Sequence, residues 1–222
     1  MTDLAPLSST GRTTLGRRKH RAVTDRAALH AVLDEALICH LGVVRDGVPM
    51  VLPTGYGRDG DMLYLHGSTG ASSLRAATTG LDICVTVTIV DGIVYSRSIN
   101  NHSMNYRSAV IFGRAEPVVE REAKMHALHV LTDHLAPGSW EHARDVNAKE
   151  FAAVSVLAVD LAEASVKMRG EGPGDPEDDV AADLAWAGVL PVSTVFGEPE
   201  PSADLTGFAV PAHISGRAAA GR

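Results

Sequence analysis

The sequence predicts a mainly β protein, an antiparallel barrel decorated by a few helices. Short runs rich in β-branched and apolar residues follow one another, and tight turn signals such as Arg45-Asp-Gly47 join them. The chain also lacks the alternation of strand and helix that a parallel α/β sheet requires. Its 222 residues suffice for one domain with a sizeable core.

Helices are expected at three places. Residues 24–36 combine an N-cap at Thr24 or Asp25 with an apolar stripe at helical spacing. Residues 120–135 form a second helix, which Pro137 and Gly138 terminate. A shorter helix is predicted for residues 71–78.

The predicted strands are residues 37–44, 48–56, 62–66, 81–90, 93–98, 106–118 and 154–160, the last continuing through 165–168. Pro49 and Pro53 mark the second of them as an edge strand or a bulged one. Asp91-Gly92 is interpreted as a hairpin turn. Residues 1–16 are expected to be a disordered tail, residues 17–196 the domain, and residues 197–222, rich in Pro, Gly, Ala and Ser, a flexible tail.

The composition is that of a soluble globular protein. Hydrophobic residues make up 45% of the chain, charged residues 21%, and the net charge is −7. Nothing in this charge pattern indicates a nucleic-acid partner, and no apolar run approaches the ~18 residues of a membrane span. The first residues do not have a signal-peptide layout, so we expect a cytoplasmic protein. Cys39 and Cys84 lie in apolar strand-like runs and are expected to be core residues.

Residues 102–107, His-Ser-Met-Asn-Tyr-Arg, carry the densest polar chemistry of the chain. They lie between two strand-like segments, where buried polar groups need partners. A guanidinium at Arg107 with hydroxyls nearby could bind a phosphate. A polar loop that joins two strands is the alternative.

A second polar segment, residues 66–73, follows a short apolar strand and opens the helix predicted at 71–78. Its small residues would let backbone N–H groups approach an anion at a helix N-terminus. An ordinary Ser- and Gly-rich turn with a Ser N-cap is the alternative. The short basic run at residues 16–21 is either a solvated tail or a supply of cations for a phosphate.

Three motifs together resemble the pyridoxamine 5′-phosphate oxidase-related flavin-nucleotide-binding proteins, in the branch that includes the nitroimidazole-resistance reductases. They are YLHGS at 64–68, HSMNYRS at 102–108 and WAGVLP at 186–191, and the resemblance covers about residues 17–192. It implies a six-stranded antiparallel split β-barrel of the FMN-binding type and a homodimer with FMN at the subunit interface. The implied activity is FMN-dependent oxidation or reduction of a small organic substrate.

The resemblance also implies a set of site residues. Phosphate contacts are expected from Ser72, Ser73, Arg75 and Arg107, supported by Ser103 and Tyr106. Ring and ribityl contacts are expected from Pro53, Thr54, His66, Gly67, Ser68 and Asn105, with Trp186 of a second subunit covering the ring. His66 would lie at the substrate face, where it could transfer protons. Relatives usually carry Lys or Arg where Ser72 or Ser73 stands, and Arg75, Arg107 or residues 19–21 could compensate.

Three alternatives stay open. The chain could bind a flavin or a haem without catalysis, since some split-barrel relatives bind haem through a His. It could also be an FMN-free enzyme that uses His66 and Arg107 on an anionic substrate. A metal site among His126, His129, His134 and His142 is disfavoured, because no cysteine or carboxylate cluster completes it.

Overall fold

The structure is a computed structural model that describes residues 6–7, 9–70 and 82–219. In these residues ten strands form one connected antiparallel sheet, which confirms the predicted fold class. The strands are β1 (Ala22–Val23), β2 (Ile38–Arg45), β3 (Val48–Asp59), β4 (Met62–Ser68), β5 (Ile83–Tyr95), β6 (Ser103–Gly113), β7 (Glu116–Pro117), β8 (Val154–Asp160), β9 (Ala164–Arg169) and β10 (Gly188–Pro191).

The strand order is β1-β9-β6-β5-β2-β3-β4-β8-β7, with β10 paired to β5. The sheet therefore has more strands than the expected six, and this order leaves it with two ends within the described residues. Strand β3 is long enough to serve two neighbours. Its first eight residues, from Val48 to Gly55, pair with β2, and its last four, from Tyr56 to Asp59, pair with β4.

Five helices flank the sheet in the described part of the chain: α1 (Arg26–Glu35), α2 (Arg121–Leu135), α3 (Ala148–Ala153), α4 (Glu177–Ala182) and α5 (Ala212–Ala219). The helices predicted near residues 24–36 and 120–135 are α1 and α2. Asp25 caps α1 by accepting a hydrogen bond from the Ala27 N–H at 2.9 Å. The helix predicted at 71–78 lies outside the described residues.

The core lies between α1 and the inward face of the sheet. Leu29, Val32 and Leu33 of α1 are fully buried, as are Val85 of β5 and Ile111 of β6. Helix α2 covers the opposite face of β3, and Gly57 makes this possible. A Cβ at Gly57 would lie 2.7 Å from the Val130 carbonyl oxygen of α2, so no larger residue fits there without displacing the helix.

The structure corrects the hairpin predicted at Asp91-Gly92. Strand β5 runs without a turn through both residues, and a bulge between Val90 and Gly92 shifts its register against β6. Gly92 allows β10 to pack closely against β5, because a Cβ at this position would lie 2.9 Å from Val189 Cγ1 on β10. The polar block at 102–107 is also more regular than a loop, since β6 begins at Ser103.

The predicted domain boundaries stay a prediction, but the described residues near both ends make contacts with the domain. Leu7 is buried in the main core, and Arg12 pairs with Asp82 and Glu163. Near the other end, the Arg217 guanidinium lies 4.1 Å from the centre of the Phe196 ring. None of the helices in the described residues combines the length and apolar character needed to cross a membrane.

Candidate functional site

A polar cavity of about 400 Å³ opens where the start of β6 meets the end of β9. We call it the basic cavity, because three arginines line it together with the first residues of the HSMNYRS motif. Its lining consists of Arg18, Arg21, Asn100, Asn101, His102, Ser103, Arg169, Glu171, Gly172, Pro173 and Gly174. The fold thus joins two segments that the sequence analysis treated separately, the basic run at 16–21 and the polar block at 102–107.

Arg169 forms the floor of the basic cavity at the end of β9. Only 7% of its surface is exposed, and its Nη atoms donate to Asn105 Oδ1 and, at 2.8 Å each, to the carbonyls of Glu171 and Gly172. Its Nε makes no hydrogen bond and lies 3.5 Å from a Glu171 carboxylate oxygen. Asn105, predicted to contact the flavin, is buried and instead holds this arginine in place.

Arg21 and Arg18 approach the cavity from a short 3-10 helix, Lys19–Arg21. Arg21 donates from Nη2 to Glu171 at 3.2 Å, and its buried Nε has no hydrogen-bond partner. Arg18 precedes this helix in the left-handed backbone region, with φ 55° and ψ 48°, which costs a non-glycine residue free energy. Strain of this kind, next to a cluster of cations, is typical of a binding site.

His102 links the basic cavity to an exposed aromatic surface. Its Nδ1 accepts a hydrogen bond from the Ser96 N–H at 2.9 Å, so the neutral ring carries its proton on Nε2. The His102 ring centre lies 5.8 Å from that of Tyr95, which lies 5.9 Å from that of Trp186. Trp186 is 70% exposed, so the aromatic surface next to the cavity is open to a ligand or to another chain.

Arg107, predicted to bind a phosphate, is occupied by two carboxylates. Its Nε and Nη2 donate to Asp91 at 3.0 and 2.7 Å, and both Nη atoms donate to Glu35 at the end of α1. A phosphate at this guanidinium would lie next to two negative charges. The geometry therefore gives Arg107 a structural role that ties α1 to the bulge of β5, while Tyr106 beside it is half-buried opposite Val90 and Arg169.

Five of the residues predicted to contact the flavin ring or its ribityl chain lie on β3 and β4, away from Asn105 and Trp186. Pro53, His66 and Ser68 are exposed, whereas Thr54 and Gly67 are half-buried. In the sheet order β5, β2 and β3 separate β6 from β4, so one chain does not bring these residues next to the basic cavity. Ser72, Ser73 and Arg75 lie outside the described residues.

His66 lies two residues before the end of β4 and beside Gly55, where a Cβ on the glycine would lie 3.8 Å from His66 Cε1. Partial desolvation lowers the pKa of His66 below its ordinary value of 6.5, although the residue is exposed. The imidazole is consequently neutral at neutral pH. It makes no hydrogen bond to any other residue that the structure describes.

Between these two regions the outer face of β2, β3 and β5 is open and largely apolar. Ile38, Val44, Val51 and Val90 are 51, 46, 67 and 37% exposed. His40 lies among them, opposite Pro53 on β3 and Thr86 on β5. We call this surface the open sheet face; a patch of this kind marks an interface or a ligand surface.

The histidines considered for a metal site have separate partners. His126 contacts Asp59 at 2.8 Å, His134 contacts the Ala36 carbonyl at 2.8 Å, and His129 stacks on Trp140. His142 packs against His213.

Arg169, the best-buried cation of the basic cavity, was not predicted from the sequence. A single arginine that ends a strand forms no motif, and its partners Asn105 and Gly172 are set by the fold. One signal was available. Arg169 is a cation that ends an apolar strand directly before a Gly- and Pro-rich segment, and such a segment allows backbone to fold over a charged group.

Solved structures with similar folds include two that match most of the chain. The flavocytochrome Anf3 from Azotobacter vinelandii is 38% identical, with 96% of this chain and 99% of that chain covered and a TM-score of 0.89. The FAD and haem binding protein from Mycobacterium smegmatis is also 38% identical, with 89% and 97% covered and a TM-score of 0.85.

A protein described as a 5-nitroimidazole antibiotic resistance protein, from Bacteroides thetaiotaomicron, shares the fold at 23% identity, 66% and 85% coverage and a TM-score of 0.58. No curated protein gives a significant sequence match. The sequence profile of the pyridoxamine 5′-phosphate oxidase family matches residues 25–168, from the start of α1 almost to the end of β9. This match spans more than half of the chain, and with the fold it shows that the chain belongs to the pyridoxamine 5′-phosphate oxidase family.

Proposed function

We propose that this protein is a homodimeric oxidoreductase that binds a flavin nucleotide and a haem. The observation that carries the proposal is the extent of its similarity to the two proteins named for such cofactors. The family profile ends at residue 168, whereas the similarity to the flavocytochrome covers 96% of the chain and so includes most of the segment beyond it. That segment carries Trp186, Arg169 and the residues that close the basic cavity.

The residues present fit a flavin nucleotide. The basic cavity offers cations to a phosphate, and the aromatic surface of Tyr95 and Trp186 next to it offers a flat apolar contact. FMN is the flavin that the sequence led us to expect, while the Mycobacterium smegmatis relative is named for FAD. When bound, a flavin supplies hydride and single-electron chemistry, and the protein orients it.

The open sheet face and His66 fit a haem. A haem needs an apolar surface and a neutral imidazole as iron ligand. Ile38 and Val51 supply exposed apolar area, and His66, next to Gly55, is neutral because desolvation lowers its pKa. We assign His66 to the iron and keep His40 as the alternative ligand on the same face.

A homodimer follows from the separation of the two halves of the site. Two strands separate Pro53 on β3 from Ser103 on β6, and three separate His66 on β4 from it, so a ligand that contacts both sets needs a second copy of the chain. The open sheet face would be buried in such a dimer, and a two-fold self-association is the commonest way to cover a patch of this kind. Trp186 would then reach the partner's flavin, as the sequence resemblance implies.

Cofactor content decides the proposal most directly. We expect the purified protein to show flavin absorbance near ~450 nm and a haem band near ~400 nm. Chromatography of the released flavin and a haem extraction assay would give the stoichiometry of each. A protein that takes up neither added flavin nor added haem would refute the proposal.

An electron-transfer assay would distinguish a catalytic protein from one that only binds the cofactors. The protein would be reduced anaerobically and mixed with a nitroimidazole or a quinone, and its reoxidation compared with that of free flavin. We expect faster turnover than free flavin gives, whereas reoxidation no faster than that would indicate a binding protein. The FMN-free alternative loses support, because both carboxylates at Arg107 oppose an anionic substrate.

A further inference from the structure

We propose that a cavity beside the C-terminal helix binds a small monocarboxylic acid with an apolar body. The cavity lies where α5 and residues 196–199 meet the end of α2, and its volume is about 310 Å³. We call it the C-terminal cavity; its lining consists of Ala136, Pro137, Ser139, Phe196, Gly197, Pro199, His213, Ile214, Arg217 and Ala218. None of these residues belongs to the basic cavity or to the open sheet face, so the inference goes beyond the proposed flavin and haem sites.

The C-terminal cavity is built mostly by the part of the chain that follows the family profile. The profile ends at residue 168, and seven of the ten lining residues come after it. The cavity is therefore not one that the shared core of the family supplies by itself. Its volume lies at the lower end of the range for small-molecule sites, roughly 300–1,000 Å³, which indicates a small occupant.

Arg217 gives this cavity a positive charge that no carboxylate of the described residues neutralises. Its Nη1 donates to the Leu135 carbonyl at the end of α2, and its guanidinium lies 4.1 Å from the centre of the Phe196 ring. A guanidinium has five N–H donors. In the described part of the chain, the Arg217 side chain makes no other hydrogen bond and no ion pair, and none of the lining residues is acidic. Its remaining donors match the two oxygens of a carboxylate, which a guanidinium can bind through parallel hydrogen bonds.

His213 adds a second polar group that lacks a partner. Its Nε2 is buried and makes no hydrogen bond to any residue that the structure describes, while its ring centre lies 5.1 Å from that of His142. Gly138 leaves room for His213, since a Cβ on this glycine would lie 3.0 Å from His213 Cβ. A buried polar atom without a partner lowers stability, and a bound ligand removes that cost. In the tautomer that carries its proton on Nε2, His213 can donate to one carboxylate oxygen while Arg217 donates to the other.

The walls of the cavity favour an organic acid over an inorganic anion. Apolar groups surround Arg217, and they come from Ala136, Pro137, Phe196, Pro199, Ile214 and Ala218. Burial of apolar ligand surface against such walls raises affinity roughly in proportion to its area. One guanidinium balances one carboxylate, whereas a phosphate carries more charge near neutral pH and would place its further oxygens against carbon.

Hexanoate is a suitable probe, with hexanamide, hexylamine and inorganic phosphate as comparisons. Titration calorimetry of the purified full-length chain should show hexanoate binding, and hexanamide should bind about tenfold more weakly because it lacks the charge. Hexylamine and phosphate should not bind. Each methylene group removed from hexanoate should weaken binding by about fourfold. Undetectable hexanoate binding, or hexanamide binding as tight as that of hexanoate, would refute the inference.

Ile214→Glu is the variant that tests the site most directly. Residue 214 lines the cavity three positions before Arg217 on α5, and residues three apart are neighbours on a helix surface. The new carboxylate should pair with Arg217 and exclude the ligand while α5 keeps its place. Ile214→Gln is the matched control, because it has nearly the same size and no charge. Hexanoate should bind Ile214→Glu at least about tenfold more weakly than Ile214→Gln, since a charged partner is lost.

Arg217→Gln removes the charge and keeps an amide donor for the Leu135 carbonyl. It should weaken hexanoate binding about tenfold and leave hexanamide binding nearly unchanged. Arg121→Gln is its control, because the Arg121 guanidinium also lies against a phenylalanine, 5.1 Å from the Phe151 ring centre, but does not line the cavity.

Limited proteolysis would show whether α5 stays docked in each variant. If Arg217→Gln released α5, the comparison of the two Ile214 variants would decide, since both retain Arg217. Equal hexanoate affinity in Ile214→Glu and Ile214→Gln would overturn the inference. These titrations need neither flavin nor haem, so their outcome is independent of the proposed function.

Discussion

Arg107 on β6 donates two hydrogen bonds to the carboxylate of Asp91 at the bulge of β5, from Nε at 3.0 Å and from Nη2 at 2.7 Å. The same guanidinium holds Glu35 at the end of α1, so one side chain ties a helix to an irregular strand. We predict that Arg107→Gln lowers the free energy of unfolding by about 1–2 kcal/mol, because it removes charged hydrogen bonds from a partly buried site. Urea unfolding would measure the change, with Arg45→Gln at the exposed β2–β3 turn as control. FMN and riboflavin affinities should change equally, and a selective loss of FMN would instead restore Arg107 as a phosphate ligand.

The same contact predicts how stability depends on pH. The hydrogen bond from Arg107 lowers the pKa of Glu35 below its ordinary value of 4.5. A carboxylate with a lowered pKa in the folded state stabilises the protein above its unfolded pKa, and this contribution is lost as pH falls through the folded value. Below about pH 4.5, the free energy of unfolding measured with urea should therefore fall more steeply for the wild type than for Glu35→Gln. Parallel pH profiles for the two proteins would show that the pair contributes nothing.

Gly57→Ala is predicted to destabilise the protein by roughly 1–3 kcal/mol, the cost of overpacking a close contact. The new Cβ would lie 2.7 Å from the Val130 carbonyl, so α2 would have to move away from β3. Gly113→Ala is a matched strand control, since its Cβ would meet Val159 Cγ1 at 3.4 Å, an ordinary contact. Chemical denaturation would give the free energy of unfolding of both variants. Equal values would mean that α2 moves without cost to make room for the new Cβ.

His66→Ala is predicted to keep the fold and to reduce both haem content and turnover. The residue is exposed and belongs to neither core cluster, so its removal opens no core cavity. Circular dichroism would check the fold, the band near ~400 nm the haem, and the reductase assay the rate. His40→Ala on the same face is the comparison variant. If His40→Ala lost the haem band and His66→Ala did not, the ligand would be His40.

The dimer is predicted to dissociate when the open sheet face is charged. Val51→Glu places a carboxylate at a 67% exposed position on that face, whereas Val119→Glu makes the same change at an 84% exposed position between β7 and α2. Sedimentation should show a wild-type dimer, a weakened Val51→Glu dimer and an unaffected Val119→Glu dimer. An obligate interface of this kind would bury more than roughly 2,000 Å². A wild-type monomer with full flavin affinity would contradict the shared site.

The parts of the fold that local chemistry determines could be predicted from the sequence. Asp25 caps α1, and the apolar stripe at Leu29, Val32 and Leu33 is fully buried. Asp46 and Gly47 have φ of 53° and 77°, as expected for the two central residues of a tight hairpin.

The parts that distant contacts determine could not be predicted. Asp91-Gly92 has the same turn signal as Asp46-Gly47, but β10 and Arg107 hold it inside a continuous strand. Arg107 has the side chain of a phosphate ligand, but the fold places two carboxylates against it, and one of them, Glu35, is 72 residues away in the sequence. The basic cavity likewise assembles residues 18, 102 and 169, which no local pattern connects.

The bulge of β5 decides which side chains a bound molecule can meet. Before it, Val85 and Val87 are buried; after it, Gly92 and Val94 are buried, so the buried positions have changed phase by one residue. Tyr95 is therefore exposed beside His102, whereas with strict alternation from Val87 it would occupy a buried position. Deleting Asp91 would leave every aromatic residue in the sequence and still abolish the aromatic surface. In the proposed site the number of residues in this strand would therefore decide which aromatic rings a ligand meets, and substitutions that preserve chain length would not test it.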